Sequence, residues 1–324
     1  MSVLITGGTG FVGLNVADTL LAAGSDVVIF GQALPPDLLL APLRKRPASL
    51  ATEIGDIRDA AQLRDILSRH KVDRIVHGAA VTAGLDRERS QARTIVDVNV
   101  GGTIELFEAA LRHGVTRVVA LGTGSVFGTH DPSGPDLDEQ RDSPVPESLY
   151  GISKYAAERI AIRYRETRRL DLCVARLGVV FGRYEYDTGV RDTLSVPFRL
   201  LHAAEAGKTV RVRRILPDDW VYACDVADAI IRLLDAPNLQ PLYHVSAGRR
   251  WSVADWCGRL KEAFPRFAFE LVEDGADADI GVPAPRRRPL FSTRRLREDT
   301  GFTPRFGPAE AFADYIKWHT GKAG

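Results

Sequence analysis

The stretch Val3–Gly13, VLITGGTGFVG, decides the fold. Val3, Leu4 and Ile5 form a short apolar run with no polar face, the pattern of a strand buried on both sides of a parallel sheet. Glycines follow at Gly7, Gly10 and Gly13. A helical apolar pattern then runs through Phe11, Leu14, Ala17, Leu20 and Leu21 and closes at Gly24. Strand, glycine turn and helix in that order make a dinucleotide-binding unit. One glycine turns the chain, one lets the backbone approach a pyrophosphate, and one lets the helix pack on the sheet. The helix N-terminus offers unpaired N–H groups and a positive dipole end. The spacing is GxxGxxG, and glycine loops also arise for purely steric reasons; the flanking strand and helix give this one its meaning.

The 324 residues allow one large α/β domain, or one domain with a smaller lobe. With 45% hydrophobic and 26% charged residues, a full-sized core is available. A net charge of +1 gives no electrostatic case for nucleic acid or for an acidic membrane surface. Cys173, Cys224 and Cys257 are widely spaced, with no CxxC and no metal-ligand cluster, so no metal is expected. They read as reduced, buried thiols of a cytoplasmic protein. The first strand starts too early for a signal peptide, and no apolar stretch is long enough to span a bilayer.

Further strands are expected at Asp26–Phe30, ending at Glu53–Asp56, at Arg74–His77, at Arg117–Leu121 and at Asp171–Leu177. The second strand runs into Gly31 and Gln32, where an NAD-binding fold normally places an acid for the adenosine ribose; NAD and NADP both stay open. Asp56 lies at a strand's carboxyl end, where ligands bind in open α/β sheets, and reads equally well as a turn aspartate. His77 reads as packed at a strand end. A long helix is expected to run to His113 with Asn99 inside it, facing water or bonding something specific. The Pro-, Asp- and Gly-rich loop from Gly128 to Ser148 is long enough to suspect function. Ser148 is a plausible cap for a helix that brings Tyr150 and Lys154, four apart, onto one face. Residues 1–178, with 209–236 returning to it, read as a dinucleotide-binding domain. Residues 179–208 and 237–324 read as a substrate-binding lobe.

A tyrosine hydroxyl titrates near 10 in isolation. An ammonium one helical turn away favours the phenolate, so Tyr150 can take a proton from a substrate hydroxyl as hydride leaves the carbon. Thr123 or Ser125, at the end of the fifth strand, can hold the same oxygen.

At this point the chain resembles the extended short-chain dehydrogenase/reductase family, the NAD-dependent epimerase/dehydratase family. The matching pieces are TGGTGFVG at Thr6–Gly13, GDIRD at Gly55–Asp59, HGAA at His77–Ala80 and VNVGGT at Val98–Thr103. TGSVFG at Thr123–Gly128, YGISK at Tyr150–Lys154, RLGVVFG at Arg176–Gly182 and DWVYACDVADA at Asp219–Ala229 complete the set. They stand in family order and spacing. The resemblance implies a doubly wound parallel (Rossmann-type) sheet with a smaller C-terminal substrate lobe. It implies Gly7, Gly10, Phe11, Val12 and Gly13 around the pyrophosphate, Asp56 and Ile57 at the adenine, Ala79 and Ala80 along the cofactor, and Asn99 in support. Thr123, Tyr150 and Lys154 would be catalytic, with Thr123 preferred because it precedes Phe127, the place of the family's usual tyrosine, by four residues. Ser125 and Val179 would meet the substrate, and a homodimer through helices near 89–113 and 149–169 is expected.

The departures shape the functional expectation. The dehydratase branch carries Asp-Glu after the threonine, and here the pair is Gly124-Ser125. Nucleotide-sugar epimerases usually have an asparagine at the position of Val179 and an arginine at that of Asp218. The expected activity is NAD(P)-dependent hydride transfer, NAD slightly favoured, at a secondary hydroxyl of a sugar or sugar-acid-like substrate with Tyr150 as general acid/base, and the departures point to a smaller compound such as a sugar acid. Arg183, Arg191 or the run Arg286, Arg287 and Arg288 would be the anchor for its carboxylate. The alternatives are a nucleotide-sugar epimerase that retains NAD and a non-catalytic NAD(P)-sensing protein.

Overall fold

The computed structural model describes residues 1–213, 219–273, 276–281 and 288–321. The first half alternates strand and helix: β1 (Ser2–Thr6), α1 (Phe11–Ala22), β2 (Asp26–Gly31), α2 (Asp37–Arg44), β3 (Leu50–Ile54), α3 (Ala60–Arg69) and β4 (Arg74–His77). Then come α4 (Leu85–Val96), α5 (Gly102–His113), β5 (Arg117–Thr123), α6 (Leu149–Arg168) and β6 (Leu172–Leu177). The second half holds β7 (Val179–Phe181), α7 (Val196–Glu205), β8 (Thr209–Arg213), β9 (Trp220–Tyr222) and α8 (Ala223–Asp235). It ends with β10 (Leu242–Val245), α9 (Val253–Ala263), β11 (Ala268–Val272), α10 (Arg294–Thr300) and α11 (Pro308–Gly321).

Seven strands make the central sheet in the order β10-β6-β5-β4-β1-β2-β3, and every pairing is parallel. Both faces are covered, which is why β1 needs no polar side. Val3 and Ile5 enter one apolar cluster, with α1, α2 and α8, while Leu4 points into the other, with α3 and α5. The strand order reverses between β1 and β4, so the crevice beyond their carboxyl ends is the place for a ligand. Thr6-Gly7 and His77-Gly78 stand at that point.

Three expectations change. The helix to His113 is not continuous: Asp97–Gly101 forms a π turn between α4 and α5. Such turns re-aim a side chain that a regular helix would point elsewhere. The segment 209–213 does not return to the central sheet, because β8 pairs with β11 in the lobe. Its sequence TVRVR alternates exposed and buried residues, the mark of a one-sided strand. The strand that does join the central sheet is β10, with all four residues buried and paired to β6. Elsewhere β7 pairs with β9 just beyond the sheet's carboxyl edge, and α8 packs on α1. Cys173, Cys224 and Cys257 are unpaired thiols.

Candidate active site

A cleft of about 960 Å³ runs along the carboxyl ends of the central strands. At its floor lies the glycine loop. Gly7 has φ of +66°, and a Cβ there would stand 2.7 Å from the Gly78 carbonyl. The β1 and β4 turns therefore touch backbone to backbone. A Cβ on Gly13 would meet the Gly7 carbonyl oxygen at 2.5 Å, so α1 also rests directly on the loop. No side chain caps the α1 N-terminus, and no acidic residue lies in its first turn. This is the cradle that a pyrophosphate fits. Gly7, Gly10, Phe11, Val12 and Gly13 all line it.

The end of the cleft beside β2 is lined by Phe30, Gly31, Gln32, Ala33, Gly55 and Ile57, none of them charged. Gly31 is required there, since a Cβ would lie 2.0 Å from the Thr9 hydroxyl oxygen. Asp56 does not face the cleft. Its carboxylate accepts from Arg58 Nε at 2.9 Å and Nη2 at 2.5 Å, and this partner holds it below its ordinary pKa. Nearby cations are also engaged: Arg44 with Asp37, and Arg46 with Asp18.

Ala79 and Ala80 line the middle of the cleft. Asn99 stands behind them, buried, and does not line it. From the π turn its Oδ1 accepts from Val81 N at 2.8 Å, while Nδ2 donates to Val81 O at 3.2 Å and Ser153 Oγ at 3.0 Å. The β4 loop is thereby tied to α6. His77 is buried between the Thr6 and Thr103 hydroxyls at 2.7 and 2.8 Å. Burial, aided by the nearby Lys154 charge, pushes it down to about 3, so it is neutral and structural.

Thr123, at the end of β5, and Tyr150 and Lys154, on α6, line the same wall. Ser148 caps α6 by accepting from Gly151 N at 3.2 Å, which fixes where the first turn begins. Thr82, Thr123 and Tyr150 line the cleft together. Burial raises the Tyr150 pKa, with the nearby Thr123 and Thr82 side chains and the Arg191 charge opposing the rise. Lys154 is buried and pulled down to about 8, with Glu158 partly restoring it. Glu158 is itself clamped by buried Arg176 at 2.6 and 2.7 Å.

The remaining wall holds Ser125, Val179, Thr188, Arg191 and Arg288. Arg191 donates to Glu185 at 2.9 Å and lies 5.1 Å above the Phe11 ring. Arg183 does not line the cleft: its guanidinium is bonded to Asp314 on α11. Arg288 enters from the lobe. It donates to Gly124 O at 2.7 Å and to Asp219 Oδ2 at 2.6 and 3.2 Å. A Cβ on Gly124 would collide with it at 2.5 Å, so glycine at 124 is what admits the guanidinium. Asp218, Arg286 and Arg287 lie outside the described residues.

Sequence reasoning missed Thr82, Glu185 and the Arg288–Asp219 pair. Thr82 had a signal, its place just beyond the β4 carboxyl end. Among the described residues no cluster of side chains could hold a metal ion, and no helix is long and apolar enough to cross a membrane.

The model of the NAD dependent epimerase/dehydratase family matches residues 3–248. A dTDP-glucose 4,6-dehydratase of Streptomyces niveus is 28% identical over 98% of this chain and 93% of its own length. A UDP-glucose 4-epimerase of Lacticaseibacillus casei is 29% identical over 98% and 97%. MoeE5, solved with UDP-glucuronic acid and NAD, is 26% identical, covers 99% of each chain and superposes with a TM-score of 0.77.

Proposed function

The chain belongs to the NAD dependent epimerase/dehydratase family, and on that premise we propose that it transfers hydride at a secondary hydroxyl of a nucleotide-linked sugar, with Tyr150 as the proton-transfer group. The observation that carries this reading is that Thr123, Tyr150 and Lys154 line one wall of the cleft whose floor is the glycine loop. Gly7, Gly10, Phe11, Val12 and Gly13 would hold the pyrophosphate of NAD, Ile57, Ala79 and Ala80 would lie along it, and Lys154 would donate to its ribose. The uncharged β2 end favours NAD, because a 2′-phosphate calls for a cation. When bound, NAD supplies a hydride acceptor that can also return the hydride.

The protein's own groups handle the proton and the oxygen. Tyr150 takes the proton from the substrate hydroxyl, and Thr123 donates to the same oxygen as it becomes a carbonyl. Asn99 keeps the β4 loop and α6 in register. Gly124 and Ser125 carry no carboxyl group, which argues against loss of water as the outcome, although several relatives are named dehydratases. Epimerisation with the hydride returned is the outcome we favour.

The sequence-based preference for a small free acid weakens on two grounds. Arg183, one of its expected anchors, is turned to Asp314. The relatives that match nearly the whole chain are named for nucleotide-sugar substrates. The uronate arm of the idea keeps a group to serve it, since Arg288 uses three of its N–H groups within the protein and a guanidinium has five. The test is incubation with UDP-glucuronate, UDP-glucose, dTDP-glucose and the free uronic and aldonic acids, products being read by NMR. An epimer from a nucleotide-sugar supports the reading; turnover of the free acids alone overturns it.

We also propose a homodimer through α4, α5 and α6, where Leu85, Val96 and Ile152 stand exposed. Sedimentation at micromolar concentration checks it, and a monomer rules it out.

A further inference from the structure

Residues 186–194, between β7 and α7, form a loop pinned at its base and clipped at its tip. The base is buried: Glu185 accepts from Ser195 N at 2.7 Å and from Ser195 Oγ at 2.6 Å, which ties the two ends together. Just before it, Tyr184 is buried against Trp318 of α11, ring centroids 5.1 Å apart. None of residues 186–194 is itself buried. Polar contacts fasten the loop to both sides of the cleft. On the glycine-loop side, Tyr186 Oη donates to the Thr9 carbonyl at 2.6 Å, and the Arg191 guanidinium lies 5.1 Å above the Phe11 ring at the start of α1. On the far side, Thr82 N donates to Val190 O and Asp192 N donates to Thr82 O, both at 3.1 Å, which makes a β-bridge between Thr82 and Arg191. Arg87 of α4 grips the tip. It donates to both Asp192 carboxylate oxygens at 2.8 to 3.0 Å and to Gly189 O at 2.8 Å, while Gly84 N donates to the same carboxylate at 2.8 Å. Tyr186, Thr188, Val190, Arg191 and Thr193 line the cleft whose floor is the glycine loop.

We propose that this loop is a gate for NAD: closed, it spans the cleft from Thr9 to Arg87, and it opens by releasing the Arg87 clip while its Glu185–Ser195 base stays in place. The inference rests on the glycine loop as the seat of NAD and not on the proton transfer assigned to Tyr150. A segment without a buried residue opens at smaller cost than the core it is attached to. The groups that hold its tip keep part of their surface in water, 22% of the side chain for Arg87 and 26% for Asp192, so water can take over their hydrogen bonds as the tip lifts. Loop openings of this kind set the rate at which ligands exchange. The clip joins the loop to α4 and lies outside the glycine cradle, which gives the gate a kinetic signature. Breaking the clip raises the open fraction with and without cofactor alike, so entry and exit speed up together while affinity stays the same. Breaking a contact to NAD itself would speed exit alone. A gate that is mostly closed also suits a cofactor that stays bound through turnover, as the favoured epimerase outcome requires.

The experiment needs no substrate. Stopped-flow fluorescence of NADH follows its binding to the full chain, and displacement by excess NAD gives the release rate, with circular dichroism as the check of folding. Arg87→Gln and Asp192→Asn should each raise both rates about fivefold, the upper range for a partly exposed ion pair, and leave Kd within a factor of about two. The double variant should do no more than either single change, because the two residues share one contact. Arg93→Gln breaks a pair with Asp97 within α4 and should leave both rates alone. Unmoved rates in folded Arg87→Gln and Asp192→Asn would overturn the gate. Faster release with unchanged entry would overturn it too, by making the loop a contact of the cofactor. A chain that binds neither NADH nor NAD would remove the seat and the gate with it. Gated exchange without turnover of any nucleotide-sugar would sustain the gate and remove the proposed reaction.

Discussion

The two ends of the cleft are built on different principles. The glycine-loop end works by close approach of the backbone: a Cβ on Gly7 or Gly13 would strike backbone within 2.7 Å, a Cβ on Gly31 would strike the Thr9 side chain, and the residues lining the β2 end carry no charge. The lobe end works by side-chain pairs: Arg191 with Glu185, Arg288 with Asp219, and behind the wall Arg183 with Asp314. Shape holds the first end and electrostatics the second. A substitution at the first should therefore act through sterics and fail outright, while one at the second should act by degrees and respond to its partner.

The largest effect on cofactor binding is expected at the glycine loop. Gly7→Ala places a Cβ against the Gly78 carbonyl at a positive φ, so NAD affinity should fall about a hundredfold or more, the scale of a few kcal/mol of strain. Calorimetric titration checks it; near-normal affinity would mean that the two turns do not need their backbone contact. At the lobe end Arg288→Gln should raise KM for the substrate about tenfold, the scale of one charged hydrogen bond, with kcat changed little. The single change leaves Asp219 without its cation in a buried place, so the double variant with Asp219→Asn separates lost stability from lost binding. Equal KM in the two proteins would place the substrate elsewhere.

The effect shared by both ends is on stability. His77, behind the cofactor end, and His244, beside the lobe, are both held at about 3 by burial. Their folded values lie below the unfolded value near 6.5, so the unfolded chain binds more protons between the two. Stability should be fully present above about pH 6.5 and decline as pH falls toward 3. Melting temperature measured across that window checks the sign; a rise on acidification would contradict the buried, neutral assignment.

The same contrast explains what the sequence could and could not disclose. Backbone features are written locally. The apolar run Val3–Ile5, the glycine spacing and the Tyr150–Lys154 interval each occupy a few consecutive residues, and all were legible. The π turn at Asp97–Gly101 was not, because residues that favour a helix also tolerate one wider turn, and the tie to Val81 and Ser153 that holds Asn99 is made by distant residues. Side-chain pairs are non-local by nature: Arg288 and Asp219 lie 69 positions apart, and Arg183 and Asp314 lie 131 apart. Arg183 reads as a ligand for substrate from the sequence alone because its partner Asp314 lies far along the chain. The exchange of β8 for β10 in the central sheet has a local trace, the alternation in TVRVR against the fully buried LYHV.

One measurement tests the central claim, that Tyr150 moves the proton while the glycine-loop end independently holds NAD. The NAD-loaded protein and its Tyr150→Phe variant are mixed with each nucleotide-sugar, and reduced cofactor is followed by absorbance alongside product formation. The variant should keep its NAD affinity within a factor of about two and lose about a hundredfold to ten-thousandfold in rate, the range for a positioned acid–base group. A variant that binds NAD and retains most of its rate would contradict it.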